Sequence, residues 1–323
     1  MSDYLWDTRG GDPEIERIEQ ALHAFAQATP PPRLELRRQP PAASRVNRSL
    51  LLIAATLALV VGSAVFRLVE RRSAPAWQVT TANGRSTMPV GAWLDTSAEA
   101  TVAVANVGTL TVEPGARLRL LETRTGHHRM ELARGTMHAT IWAPPNQFFV
   151  ETPSTLAVDL GCAYTLTVDE AGAGLVRVTS GWVGFDYGGQ ESFIPQNAVC
   201  PTRPKVGPGT PYYEDAPAGY AAALSLLDFG APHGPGRAAA LDTVLSTARR
   251  KDALTLWHLL TRGTIEERRL VYARMATLVP PPEGVTPEAV LRRDRRATDR
   301  WWNALGLDDA SWWRIWMREW DGK

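Results

Sequence analysis

The sequence predicts a mainly β body, a sandwich or roll, plus an all-α C-terminal domain, with one transmembrane helix and a short N-terminal helix ahead of them. Three observations carry this. Residues 49–66, SLLLIAATLALVVGSAVF, are eighteen residues without a charge. From about residue 75 to 205 short runs of alternating apolar and polar residues are separated by turn signals. From Pro217 onward the punctuation is that of helices. The implied segments are 1–30, an N-terminal helix; 31–48, a Pro/Arg-rich linker; 49–68, the transmembrane helix; 75–205, the β-domain; 206–216, a connector; and 217–323, the helical domain.

At the N-terminus, Asp12 followed by Pro13 places a helix cap before a first-turn proline, and Glu14 and Glu16 suit the positive end of the helix dipole. Ile15, Ile18, Leu22 and Phe25 then recur at three- and four-residue steps, giving one apolar face. A helix this short is marginal alone in water, so the face calls for a partner. Two readings stand open, a partner-binding helix and a helix lying on a membrane surface. The linker TPPPRLELRRQPPAASRVNRS is proline-rich and basic and reads as a spacer without a fold of its own.

The apolar run meets the length criterion for a membrane-crossing helix and starts too deep in the chain for a cleaved signal. Five arginines precede it (Arg33, Arg37, Arg38, Arg45, Arg48) and four follow (Arg67, Arg71, Arg72, Arg85), which favours an inside N-terminus by a narrow margin. A small inner tail and a large outer body is the simpler arrangement.

Within the β region the runs TVAVANV, TLTV, ARLRL, MHATIW, QFFVET, LAVDL, AYTLTV and LVRVTSGWVGF are divided by EPGA, APPN, DEAGAG and DYGGQ. Leu156, Val158, Leu160, Cys162, Tyr164, Leu166 and Val168 share one parity, so Cys162 is in phase with a buried face, and Gly161 marks a bend or bulge.

In the C-terminal region, helices are expected near 217–228, 237–248, 252–262, 265–278, 287–305 and 309–320. Thr264 with Glu267 forms a capping box, Thr286 caps a helix that begins with Pro287, and Gly306 closes one. Arg292, Arg293, Arg296 and Arg300 fall on one helical face and read as a solvated surface, an acidic partner or anionic lipid being the alternative. Six of the twelve tryptophans lie in the last 23 residues: Trp301, Trp302, Trp312, Trp313, Trp316 and Trp320. Core packing is the default for them. Trp312, Trp313, Trp316 and Trp320 also make one face more aromatic than a small bundle requires, which offers a second partner-binding surface.

Charge and motifs narrow the function. The chain carries 35 basic and 34 acidic residues, without the basic excess of a nucleic-acid binder. No nucleophile elbow, phosphate loop or HExxH is present, so no enzyme activity and no cofactor are expected. His127 and His128 are adjacent at a hairpin tip and point to opposite faces, which does not suit a shared metal. His138 and His258 have no carboxylate nearby in sequence, and the cysteines lack paired metal-binding spacing.

The stretches ELARGTMHATI, FFVETPSTLAVDLGCAYTLTV, LVRVTSGWVGFDY and ESFIPQNAVC, in that order, resemble the FecR domain, the outer portion of single-pass regulators that signal from the bacterial envelope to a sigma factor. Phe149, Glu151, Thr152, Pro153, Val158, Gly161, Val178, Gly181 and Val183 sit on the family pattern, over roughly residues 105–205. The tail is a short acidic helix and the C-terminal region is helical, where iron-uptake members of the family have other segments. Cys162 stands where threonine is common. The resemblance implies an inner-membrane regulator of anti-sigma type, with residues 75–323 periplasmic and the cytoplasmic tail acting on a sigma factor or similar regulator. The rival expectation is a membrane-tethered binding module of the envelope that contacts a glycan or another envelope protein.

The compartment then bears on the two cysteines. Outside the inner membrane a disulfide persists, and a Cys162–Cys200 bridge would pin the closing strand for a few kcal/mol. Two free thiols would count against the outward orientation.

Overall fold

Period-two alternation of apolar residues builds the body from two β-sheets that share one strand. The computed structural model describes residues 13–23 and 76–307, and the chain divides into two units, residues 1–66 and 67–323. In the first unit the described residues form one helix, α1 (Pro13–His23). The sheets and the remaining helices belong to the second unit.

The first sheet runs in the order β2 (Gly84–Pro89), β1 (Ala76–Thr81), β4 (Ala100–Val104), β5 (Gly108–Val112), then the C-terminal half of the long strand β7 (His127–Ile141). It continues through β10 (Ala163–Val168), β11 (Gly174–Ser180) and β14 (Ala198–Arg203), with the short β15 (Gly207–Pro208) and β16 (Tyr212–Tyr213) on its far side. The second sheet runs β3 (Trp93–Asp95), β6 (Arg117–Arg124), the N-terminal half of β7, β8 (Phe148–Glu151), β9 (Leu156–Asp159), β12 (Trp182–Tyr187) and β13 (Gln190–Pro195). Every pairing is antiparallel except β7 with β8.

Glycines take the chain from sheet to sheet. At Gly135, inside β7, φ is 95° and an added Cβ would lie 2.3 Å from Ala116 Cα, so strand partners change there without room for a side chain. At Gly181, between β11 and β12, φ is 72° and a Cβ would meet Gly161 O at 2.2 Å. The core lies between the sheets: Trp77 from β1 packs on Phe148 and donates its indole N–H to Thr123 Oγ1 at 3.0 Å on the opposite sheet.

The helices follow the expected caps closely. They are α2 (Tyr220–Phe229), α3 (Arg237–Thr247), α4 (Ala253–Leu259), α5 (Ile265–Leu278), α6 (Pro287–Leu291) and α7 (Arg295–Asn303). Thr264 Oγ1 accepts from Glu267 N–H at 3.2 Å while the Glu267 carboxylate accepts from Thr264 N–H at 2.8 Å, the reciprocal box. Thr286 Oγ1 caps α6 through Ala289 N–H. The expected 287–305 helix is divided: Arg293 takes φ 60° and Asp294 recaps the chain by accepting from Arg296 and Ala297 N–H. Arg292, Arg293, Arg296 and Arg300 are exposed, but the break removes the single face on which they were expected.

These helices share an apolar cluster with the sheets. Trp302 reaches Trp182 of β12 at 5.9 Å, Phe193 of β13 at 6.0 Å and Trp257 of α4 at 4.7 Å between ring centroids. Trp301 meets Tyr272 edge to face and donates its indole N–H to Val279 O. Both tryptophans are fully buried, as core packing requires.

The expected fold class needs one correction. The described residues form sheets and helices, and among them no helix is long and apolar enough to cross a membrane. Residues 49–68 lie outside the described residues, as do Phe25 and Trp312, Trp313, Trp316 and Trp320.

Candidate functional site

Cys162 and Cys200 are both buried, and both are free thiols; the expected disulfide is absent. Strand register explains why. Cys200 on β14 pairs with Val176 on β11, which pairs with Leu166 on β10, whereas Cys162 precedes β10 by a residue. Two strand spacings across and four residues along put the cysteines well over 10 Å apart, beyond the ~7 Å Cα limit for a bridge. Cys162 does face inward, in phase with the alternation, at the corner where Gly161, φ 83°, turns the chain from one sheet to the other.

Each thiol is held by an acceptor instead. Cys162 donates to Asp159 Oδ2 at 2.9 Å, and Gly161 N–H donates to Asp159 Oδ1 at 2.7 Å. Burial pushes the Asp159 carboxyl up to about 7 and raises the Cys162 thiol well above its ordinary value. Cys200 donates to Gly209 O at 3.1 Å, and burial pushes it up to about 12. Neither thiol is poised as a nucleophile, which requires the thiolate. With the disulfide goes the support it would have lent to an oxidising compartment.

The histidines separate as adjacent strand residues must. His127 pairs with Glu122 and stacks on Phe149, while His128 turns inward to Thr123 Oγ1 at 2.7 Å. His138 does have a carboxylate, brought by strand pairing: Glu113 Oε1 lies 2.8 Å from Nε2, with Thr165 Oγ1 on Nδ1. His258 is buried in α4, its Nδ1–H donating to Leu254 O and its Nε2 accepting from Phe193 N–H. That pairing holds only for the neutral ring, and burial lowers its pKa to about 3. Among the described residues no group of three or more His, Cys, Asp or Glu side chains could hold a metal ion.

Two features remain with the character of a site. The first is α1. Ile18 and Leu22 are 58% and 60% exposed, an apolar pair at i, i+4 on a helix that covers neither of them. Ile15 lies one turn earlier in the same helix, and Phe25 falls outside the described residues.

The second is a cleft of about 560 Å³ where the β12–β13 hairpin meets the helices. The hairpin tip, Gly188–Gly189, has both residues at positive φ, the geometry of a tight two-residue turn, and forms one wall with Glu191. The opposite wall carries Arg262, Arg293, Arg295 and Thr298. Arg262 is the organising residue. Its guanidinium donates to Pro208 O, Thr210 Oγ1 and Asp228 Oδ1 through Nη1, and to Glu191 O and Ser192 Oγ through Nη2. Asp228 in turn accepts from Thr210 N–H at 2.6 Å and Thr210 O–H at 2.7 Å. This network ties the last sheet-edge strand to the helices.

Sequence reasoning did not find this cleft. Arg293 was visible, but as part of a continuous solvated face; the local signal against that reading was Asp294, a good cap residue followed three positions later by alanine. Arg262 meets Asp228 across 34 residues and Ser192 across 70, and no local pattern announces such pairs.

No family model matches the chain, and no curated protein matches it. Among solved structures it is similar to two crystal structures of a candidate anti-sigma factor from Parabacteroides distasonis, each at 17% identity, with TM-scores of 0.34 and 0.35. The matches cover 41% and 42% of this chain and 63% and 64% of those chains, so it spans under two thirds of their length. Similarity of that extent leaves function to be argued from this chain's own residues.

Proposed function

We propose that the protein is a regulator in which the α1 tail captures a transcription regulator such as a sigma factor and the sheet-and-helix body receives the signal. The observation that carries this is the uncovered apolar face of α1, with Ile18 and Leu22 both more than half exposed. An amphipathic helix with an i, i+4 apolar pair is a standard element for docking into a partner's groove. The ordered motifs between residues 105 and 205 support the same reading, since they resemble those of envelope-to-sigma-factor regulators. The mechanism needs no bond-making: two states of the body that differ in affinity for a signal would differ in how they present the tail. Enzyme activity has no part in it.

Replacing residues 1–48 with an unrelated sequence tests the proposal in the host cell. Loss of control over a set of transcripts is the expected result. Unchanged transcription with function retained would favour a binding module whose tail is only a tether.

A further inference from the structure

The cleft at the β12–β13 hairpin carries more positive charge and more hydrogen-bond donors than its own residues use. Arg262, Arg293 and Arg295 line it. Arg268 lies directly behind, donating to the carbonyl of the wall residue Gly263 at 3.2 Å and to Leu291 O at 3.0 Å. Among the lining residues, three guanidinium groups stand against two carboxylates, Asp228 and Glu191, which leaves an excess of one positive charge.

The carboxylates are already engaged. Asp228 faces Arg262 and Thr210, with its side chain only 4% exposed, and Glu191 faces Arg295 at 3.6 Å. The hydrogen bonds of Arg268 go to carbonyl oxygens, and Nε of both Arg262 and Arg268 is buried without an acceptor. Arg293 forms no ion pair with any described residue. It sits on the rim in a left-handed conformation, φ 60°, which non-glycine residues rarely adopt. The spare capacity of the site is therefore cationic and donating, inside a concave wall that focuses its field.

We propose that this cleft binds a small organic anion bearing a carboxylate or phosphate group, held by Arg293 and Arg295 above the Arg262–Asp228 network. About 560 Å³ is the size of a small-molecule site and too small for a folded partner. Planar guanidinium forks match either oxyanion by paired hydrogen bonds. The inference is independent of the regulatory reading, since it concerns only what the cleft holds.

The test is calorimetric titration of the full chain with inorganic phosphate and, separately, with succinate, at constant ionic strength. Saturable one-site binding of at least one probe is expected. The Arg293→Ala and Arg295→Ala double variant should weaken it at least tenfold with the thermal midpoint unchanged, because both side chains are exposed. Response to phosphate alone or succinate alone identifies the group, and response to both marks a general oxyanion site. Absence of saturable binding by either probe, or equal affinity in the double variant, would overturn the proposal. A sigma-factor binding assay on the same variant keeps the two claims apart, because loss of anion binding leaves the tail face intact.

Discussion

Asp159 shows how a single residue's surroundings can set the response of the protein to pH. Its folded pKa of about 7 lies above the unfolded carboxylate value, so the folded state holds its proton more tightly. Its contribution is therefore fully present below about pH 4 and is lost as pH rises towards 7, on the order of 4 kcal/mol across that window. Asp159→Asn keeps an acceptor for Gly161 N–H and cannot ionise. Thermal melts between pH 5 and 8 should fall with pH in the parent and much less in the variant; parallel curves would refute the assignment. His258 acts at the opposite limb. With its folded pKa depressed to about 3, its contribution is present above about pH 6.5 and is lost as pH falls. His258→Phe strands Phe193 N–H and should cost about 1 to 3 kcal/mol at neutral pH while flattening the acid limb. The inward phase of Cys162 was legible from residue parity alone. Its partner was not, because the carboxylate three residues back becomes its acceptor only through the turn at Gly161, while the rest of the sheet puts Cys200 out of reach.

At the scale of elements, caps and turns were read well from sequence because they depend on neighbours. The Thr264 box, the Thr286–Pro287 start and most helix limits all stand where the spacing put them. Thr264→Ala should cost about 1 kcal/mol, read as a lowered midpoint in urea unfolding with an unchanged slope. Strand limits were harder. MHATIW reads as a run of its own, yet residues 137–141 belong to one 15-residue strand that changes sheets at Gly135. The break in pattern is real; it is a change of partner rather than an end. Gly135→Ala meets both a positive φ and Ala116, and should destabilise by at least about 2 kcal/mol, whereas Gly84→Ala, with open space around it, should cost less. Equal losses at the two positions would contradict the close approach at Gly135.

For the molecule as a whole, the change of pattern at Pro217 suggested a separate helical domain, but the tryptophans join it to the sheets. Trp302 alone contacts β12, β13 and α4, and Arg262 adds a polar tie across the same boundary. Trp302→Ala should cost about 3 to 5 kcal/mol, with sheet and helix signals lost in one transition rather than two. Such a junction is invisible to local pattern, since Trp182 and Trp302 are 120 residues apart. The proposed function rests on the other unit, where α1 offers the apolar face. The most direct measurement of the central claim is the affinity of the full chain for a purified sigma factor from its host, compared with the Ile18→Glu and Leu22→Glu double variant. The account predicts saturable binding by the parent and at least a tenfold loss in the variant, with the melting of the body unchanged. No binding by the parent to any of the host's sigma factors, or binding that the double variant leaves intact, would contradict it.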